Sequence, residues 1–382
     1  MAYSISGAPQ IEGRLQKDFQ AISQHIQTVV GQDLSTIVLT GGYGRGEGGI
    51  TMANGSFCPV NDYDLFIIIK NVSPLRFLSL RKKIKLLSEQ LARKFKIGID
   101  LALIRRRALH ALKPSILWYE TKMGHHVLWG NKGLMDDVPN WKPSDIPQWE
   151  GALLLMNRGA MLLRALSMTQ NDSVLSLEEE IVIKRACWKV VLSWGDCLLL
   201  SQQLYHHRYQ KRMQLLEGLH EVERFPGQED LISWYRQALH FKLYQEDLIS
   251  LNLPIGQWVR QVAGRHEQIF RWFEEGRLGK PNIDWAQYAR WFPKLPSPNS
   301  VSQRIKNLLN NVWNGGMPQE FSRLKWVVAD PREKLMATFP LLAFSATPKN
   351  LQWCGEALGG NWKGDHGRDW QALVTRFHTL WH

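Results

Sequence analysis

Three aspartates in the first hundred residues have the side-chain type and spacing for metal-assisted chemistry. Asp62 and Asp64 lie two residues apart in Asn61-Asp-Tyr-Asp-Leu-Phe-Ile-Ile-Ile69, and Asp100 lies in Ile97-Gly-Ile-Asp-Leu-Ala-Leu103. Side chains two apart on a strand project from one face, and two carboxylates placed so repel each other unless a cation lies between them. Asp100, on a neighbouring strand, can add a third oxygen ligand. Such donors suit Mg²⁺, and a pair of ions about 4 Å apart serves in-line phosphoryl or nucleotidyl displacement.

A glycine-rich loop precedes this pair, in the stretch Thr40-Gly-Gly-Tyr-Gly-Arg-Gly-Glu-Gly48. Because glycine has no Cβ, the backbone N–H groups of such a loop can come close to phosphate oxygens. Four glycines supply this property: Gly41, Gly42, Gly44 and Gly46. Arg45 can either neutralise phosphate charge or pair with Glu47 to stiffen the loop. The competing interpretation is a glycine turn followed by an exposed acidic strand start, which the third aspartate strand disfavours.

These residues need strands and helices that hold them together. Apolar periodicity predicts alternating elements in the first part of the chain, namely helices 10–30, 74–96 and 115–122, strands 36–40, 63–70, 97–104 and 126–129, and a hairpin over 49–59. In helix 74–96 the apolar spacing predicts a buried side formed by Leu75, Leu78, Ile84, Leu87, Leu91 and Phe95. Lys82, Lys83 and Lys85 are predicted to form its solvated side.

The second part of the chain has helical periodicity and no strand pattern. The predicted helices are 149–168, 177–217, 228–249, 256–275, 300–313 and 331–345. A segment rich in Pro, Asp and Trp separates the two parts. The sequence therefore predicts an α+β protein with an N-terminal domain over 1–135, a linker over 136–148 and an all-helical domain over 149–382.

Charge and composition limit the classes of function. The 382 residues carry 47 Lys and Arg against 35 Asp and Glu, and residues 70–126 alone carry 14 against 3. This excess indicates either an anionic ligand, such as nucleotide phosphates or nucleic acid, or a solvated basic face. No apolar run of about 18 residues exists, so a membrane is not an expected partner. Without a secretory leader, and with four scattered cysteines, the expected compartment is the reducing cytoplasm.

The strand, the Gly-Gly pair, the Asp-X-Asp and the later single aspartate resemble the DNA polymerase β-like nucleotidyltransferase superfamily. The motif is most similar to the nucleotidyltransferase domain of protein-PII uridylyltransferases, over residues 35–105 and in outline over 10–135. The chain departs from those enzymes in the twenty-residue spacing between Gly42 and Asp62. The resemblance implies a nucleotidyltransferase-fold mixed sheet with flanking helices, and an acceptor side formed by the helical domain.

The resemblance also implies roles for individual residues. Gly41 and Gly42 would contact the nucleotide triphosphate, with Arg45 as a further nucleotide-binding residue. Asp62 and Asp64 would hold two Mg²⁺ ions, and Asp100 would bind the ion that activates the acceptor hydroxyl.

The implied reaction moves an NMP from an NTP, with ATP as one candidate, to a hydroxyl of a protein, small-molecule or RNA acceptor, releasing pyrophosphate. The alternative is a nucleotide-binding regulatory or antitoxin-like module with lost or minor catalysis. A homo-oligomer is compatible with either interpretation.

Overall fold

The computed structural model describes residues 2–53, 56–170, 174–220, 222, 225–244, 253–291, 331–359 and 365–381. The chain divides into two compact units, neither of which is one continuous segment. Unit 1 comprises Met1–Glu150, Leu198–His220 and Ile232–Ile249, and unit 2 comprises the ranges Gly151–Cys197, Glu221–Leu231 and Ser250–His382. The units differ from the predicted domains 1–135 and 149–382 because two later segments pack with the N-terminal part.

Unit 1 is built on a mixed four-stranded sheet. Its strands are β1 (Leu34–Leu39), β4 (Tyr63–Ile69), β5 (Ile99–Arg105) and β6 (His126–Gly130), in the order β5-β4-β1-β6. Strand β1 is antiparallel to β4 and β6, whereas β4 and β5 are parallel. A parallel pair needs a crossover, and helix α3 (Pro74–Phe95) provides it.

Alternation along the strands gives each face of the sheet its own core. Ile67 and Ile69 of β4 pack with helices α1 (Pro9–Val30) and α3 on one face. Phe66 and Ile68 pack on the other face with the segment that follows β5, which includes Leu109, Leu134, Met135 and Val138. This period of two assigns every residue of β4 to a face, including Asp64.

Short elements surround the sheet at the glycine loop. Helix α2 (Gly41–Gly44) follows β1, and strands β2 (Ile50–Ala53) and β3 (Ser56–Pro59) form a separate two-stranded sheet. This pair confirms the hairpin predicted over 49–59, although its Asn54-Gly55 turn lies outside the described residues. Helix α4 (Ile116–Met123) precedes β6.

The rest of the described chain is helical. The helices, in chain order, are α5 (Gln148–Met168), α6 (Leu177–Ser201), α7 (Tyr209–Glu217), α8 (Gln228–Tyr244), α9 (Ile255–Leu278), α10 (Trp285–Trp291), α11 (Pro331–Ala343), α12 (Pro348–Leu358) and α13 (His366–Trp381). None of the helices in the described ranges has both the length and the apolarity that crossing a membrane requires. The α+β class predicted from the sequence is confirmed.

The helix predicted over 177–217 is two helices, because Gln203 has a positive φ of 59° and the chain leaves helical geometry there. The helix predicted over 300–313 lies outside the described residues. Helices α10, α12 and α13 were not predicted. Helix α10 has only seven residues, α12 begins at a proline, and α13 follows a glycine-rich sequence.

Unit 2 has a core of its own, with polar groups satisfied inside it. Trp194 Nε1 donates to Nδ1 of His266 at 3.1 Å, and burial lowers the pKa of His266 to about 3, so this imidazole is neutral. Tyr288 donates to Glu274, which also pairs with Arg277 at 2.6 Å. These contacts give several buried ionisable side chains of unit 2 a hydrogen-bond or ion-pair partner, which indicates a structural role for them.

Candidate active site

Asp64 and Asp100 are paired directly across the parallel strands β4 and β5. Asp62 lies two residues earlier in the chain, immediately before β4 begins. Because side chains alternate along a strand, Asp64 shares a face with Phe66 and not with the residues that pack on α1 and α3. The structure therefore brings together the three aspartates that the sequence singled out.

The three carboxylates influence one another electrostatically. Burial raises the pKa of Asp64 to about 6, with Asp100 and Asp62 adding to the rise and Arg45 and Lys242 opposing it. Partial desolvation and then the charge of Asp62 raise the pKa of Asp100. Within the described ranges, no hydrogen bond or ion pair reaches any of the three carboxylate groups. The charges of Arg45 and Lys242 act on Asp64 without direct ion pairs and do not cancel the rise in its pKa.

Two glycines give the carboxylates room. Gly41 has a φ of +63°, and a Cβ built on it would overlap the carboxylate of Asp64. A Cβ on Gly98 would overlap the carboxylate of Asp62 in the same way. Gly98 is a site residue that the sequence analysis did not single out, although its place two residues before Asp100 was the available signal.

The loop after β1 forms one turn of helix and not an open nest. The N–H groups of Gly44 and Arg45 donate to the carbonyls of Thr40 and Gly41, at 2.9 and 3.1 Å. The N–H groups of Gly41 and Gly42 are the first of this turn, and the first N–H groups of a helix have no acceptor within it. Gly41 lies beside Asp64, since a Cβ built on this glycine would overlap that carboxylate.

Tyr43 anchors the loop to the hairpin. Its hydroxyl lies 2.8 Å from the carbonyl oxygen of Gly49 and 2.6 Å from that of Val60, so it can donate to either. Its ring packs edge-on against Tyr63 at 5.0 Å between centroids, inside the core below the site. Tyr43 thus holds together the two ends of the β2–β3 insertion, at Gly49 and Val60.

Arg45 is buried behind the loop. Its Nη1 donates to Glu120 at 2.8 Å, whereas its Nε lies 4.0 Å from Glu47, and its side chain is only 6% exposed. Of the two roles considered for Arg45, the structure shows ion pairing, with Glu120 of α4 as the nearer partner. A guanidinium held in this way does not extend into solvent toward a phosphate.

Glu120 is the centre of a buried charge cluster. It accepts hydrogen bonds from Arg45, Arg212 and, at 2.7 Å, the hydroxyl of Tyr205. Burial alone would raise the pKa of Glu120, but the two arginines and these hydrogen bonds outweigh burial and hold it at about 2. Glu47 adds a second connection by accepting the N–H groups of Tyr209 and Gln210 at 2.9 and 3.1 Å. The glycine loop is therefore fastened to the start of α7.

A cation from the later helical segment also lies near the aspartates. The side-chain amide of Asn61 donates to the backbone carbonyl of Lys242 at 3.1 Å, and Asn61 has a φ of 69°. The ammonium of Lys242 lies 4.9 Å from the ring centroid of Tyr209, and its charge lowers the pKa of Asp64. Sequence reasoning missed Lys242, since no motif links α8 to a strand about 180 residues earlier.

The three consecutive arginines after β5 lie away from the aspartates. Arg105 ends β5 whereas Asp100 is its second residue, so at about 3.3 Å per residue they are roughly 16 Å apart along the strand. The guanidinium of Arg105 stacks on Phe77 at 4.3 Å, and Arg106 is 3.4 Å from Asp137. These arginines therefore lie at the opposite end of the strand from Asp100.

The donor set determines which ion the site could take. No group of three or more His, Cys, Asp and Glu side chains in the described ranges is placed so that it could hold a metal ion. Mg²⁺ commonly binds through one or two carboxylates and completes its shell with water and substrate phosphates. The facing carboxylates of Asp64 and Asp100 supply two such hard oxygen donors, and Gly41 leaves room beside Asp64.

Comparison with known proteins finds a weak structural similarity and no sequence match. No protein-family model matches the chain, and no curated protein matches it. Among solved structures, it is similar to a spectinomycin adenyltransferase, AAD(9), from Enterococcus faecialis, in a crystal structure with ATP and spectinomycin. The similarity has 14% identity and a TM-score of 0.37, and covers 66% of this chain and 99% of that one. At this level the similarity does not assign an activity to the chain.

Proposed function

We propose that the chain is a Mg²⁺-dependent nucleotidyltransferase that moves an NMP from an NTP to an acceptor hydroxyl and releases pyrophosphate. The observation that carries the proposal is the pairing of Asp64 with Asp100, with Gly41 packed closely against the Asp64 carboxylate. The proposed donor is ATP or another NTP, and the proposed acceptor is a hydroxyl of a protein, small molecule or RNA. The cytoplasmic location and the homo-oligomer stay predictions from the sequence.

The chain's own residues divide the work as follows. Gly41 and Gly42 direct backbone N–H groups at the triphosphate, and Lys242 adds positive charge beside Asp64. Asp62, Asp64 and Asp100 would hold the metal ions with their carboxylates, with one or two carboxylates to each ion. When bound, Mg²⁺ would offset phosphate charge and lower the pKa of the acceptor hydroxyl. Arg45 and Glu120 act from behind, by positioning the loop.

The proposed transfer needs no proton acceptor other than the site's own carboxylates. The acceptor oxygen forms a bond to the α-phosphorus, and the bond from that phosphorus to the bridging oxygen of the β-phosphate breaks. Pyrophosphate carries away the electron pair. Asp100 takes the hydroxyl proton.

A labelling experiment tests the proposal for all three classes of acceptor at once. The purified chain is incubated with each α-labelled NTP and Mg²⁺, together with separate protein, RNA and small-molecule fractions of a cell extract. Label entering one fraction, with stoichiometric pyrophosphate release that Asp64→Asn abolishes, is the expected result. Tight NTP binding without transfer to any fraction would support the regulatory-module alternative instead, and absence of NTP binding would contradict both.

A further inference from the structure

Helix α3 exposes three leucines to solvent. Leu75, Leu78 and Leu86 are 81%, 53% and 59% exposed, although α3 buries Leu80, Ile84, Leu87 and Leu91 against the sheet and α1. The sequence pattern placed Leu75 and Leu78 on the buried side, and the structure shows that this prediction is wrong. The helix rotates its strictly spaced residues 80, 84, 87 and 91 inward, and the first two leucines fall outside that stripe.

Cations surround these leucines. Five cations of α3 are exposed and form no ion pair within the part of the chain that the structure describes: Arg81, Lys82, Lys83, Lys85 and Arg93. The other two cations of the helix have partners, since Arg76 bonds Asp33 at 2.8 Å and Lys94 contacts His25 at 3.1 Å. Glu89 is the only acidic residue in α3. This face accounts for much of the basic excess between residues 70 and 126.

The leucines and cations are arranged about one line on the helix. At about 100° per residue, the three leucines lie within roughly 40° of Lys82, whereas Arg81 and Lys83 lie about 100° to either side. Glu89 and Arg93 lie within about 20° of the same line, so the three leucines share this outer face with Lys82, Glu89 and Arg93, and Arg81 and Lys83 flank it on either side. This face, defined by Leu75, Leu78, Leu86, Arg81, Lys82, Lys83 and Lys85, is called the α3 ridge.

We propose that the α3 ridge docks on the surface of an anionic lipid bilayer. An exposed helix face on which leucines are interleaved with cations can place its leucines at the headgroup boundary and its lysines at the level of the lipid phosphates. The contact lies in the plane of the surface and needs no spanning helix. The expectation that excluded a membrane partner considered only spanning segments. The proposal is independent of the transfer chemistry.

Two other classes of partner fit the ridge less well. A nucleic acid backbone would use the cations but would leave the three leucines in water, because its outer surface is phosphate and sugar. A protein groove that accepted the leucines would also bury Lys82 among them, and an unpaired buried charge is costly. At a bilayer surface the flexible stem of Lys82 can extend its ammonium to the water side.

Vesicle binding tests this proposal on the full chain. Sedimentation is measured with pure phosphatidylcholine vesicles and with phosphatidylcholine–phosphatidylglycerol vesicles, at low and high salt. We expect binding to the anionic vesicles only, weakened by salt. L75S/L78S/L86S should bind at least about tenfold more weakly at unchanged charge, and K82Q/K83Q/K85Q roughly 100-fold more weakly. The control L117S/L204S, which removes exposed leucines elsewhere, should bind like the wild type.

Circular dichroism melts show whether each variant is folded, and all the substituted side chains are exposed. Two results would overturn the proposal. One is absence of binding to anionic vesicles by the folded wild type. The other is binding that the leucine variant retains in full and that a short RNA displaces, which would identify the ridge as a nucleic-acid surface.

Discussion

Asp64 and Asp100 face each other in the register of two parallel strands, although 36 residues separate them in the chain. Helix α3 spans most of that separation and returns the chain parallel to β4, so the two carboxylates arrive at the same level of the sheet. Their mutual repulsion, added to burial, raises the pKa of Asp64 to about 6. A cation between them would relieve this repulsion, which is the physical basis of the proposed metal site.

Asp100→Ala should separate nucleotide binding from turnover. Asp62 and Asp64 remain to hold the ion that accompanies the triphosphate, so the NTP dissociation constant should change by less than about threefold, while turnover falls by about 1000-fold or more. Calorimetry with a non-hydrolysable NTP and a pyrophosphate-release assay measure the two quantities. Asp136→Ala, which removes an exposed aspartate elsewhere in unit 1, is the control. Equal losses in binding and turnover would show that Asp100 has no separate role in the attack.

Gly41→Ala should damage the site more than the fold. The new Cβ would overlap the Asp64 carboxylate, and the positive φ should cost about 1–2 kcal/mol of unfolding free energy. Displacement of the carboxylate should lower turnover by at least about 100-fold. Gly13→Ala is a matched control in α1, where a Cβ meets nothing within 4 Å. It should keep its activity and gain up to about 1 kcal/mol. Normal turnover in Gly41→Ala would show that the glycine loop is not part of the active site.

Glu120→Gln should destabilise unit 1 by about 3–5 kcal/mol, because Arg45 and Arg212 would lose their buried counter-charge. The effect should depend on pH. The pKa of Glu120 falls from an ordinary 4.5 to about 2, so its ionised form stabilises the native state above about pH 4.5. That stabilisation, about 3 kcal/mol, is lost as the pH falls toward 2.

Urea unfolding of wild type and Glu120→Gln across this pH range measures the difference. The stability gap between the two proteins should narrow from pH 5 to pH 2. Glu89→Gln, which alters an exposed carboxylate on α3, should track the wild type at every pH. A gap that stays constant on acidification would mean that the charge of Glu120 does not stabilise the loop.

Lys242→Met should weaken NTP binding by roughly tenfold, because it removes a positive charge beside Asp64. The bond from Asn61 uses the backbone carbonyl of Lys242, so the substitution retains it. Lys17→Met, on the exposed side of α1, is the control and should bind NTP like the wild type. Fluorescence titration with a labelled NTP analogue measures both. Unchanged affinity in Lys242→Met would place its ammonium outside the triphosphate site.

The sequence predicted the part of the site that local patterns encode. The alternation of Tyr63 to Ile69, the glycines after β1 and the single aspartate in β5 each have a short-range signature, and the observed strands begin and end within a few residues of the predicted ones. Their proximity followed from the strand–helix–strand order alone, because such a unit normally makes its strands parallel neighbours.

Long-range contacts could not be predicted in this way. Nothing local in the sequence pairs Glu120 with Arg212 or brings Lys242 to Asn61, since these contacts depend on how helices from later in the chain pack on the sheet. Burial of Arg45 likewise follows from its partners and not from its own position in the loop. In helix α3 the predicted buried side is correct at Ile84, Leu87 and Leu91 and wrong at Leu75 and Leu78, which are exposed.

Counting metal ions tests the central claim most directly, because it needs no acceptor. Mn²⁺, used in place of Mg²⁺, is titrated into the chain with a saturating non-hydrolysable NTP, and bound ions are counted by electron paramagnetic resonance. We expect two bound ions in the wild type, and loss of tight ion binding together with weakened NTP binding in Asp64→Asn, whose melting temperature should not fall. Nucleotide binding that is the same in Asp64→Asn as in the wild type, with or without the metal ion, would contradict the assignment of these carboxylates as the catalytic centre.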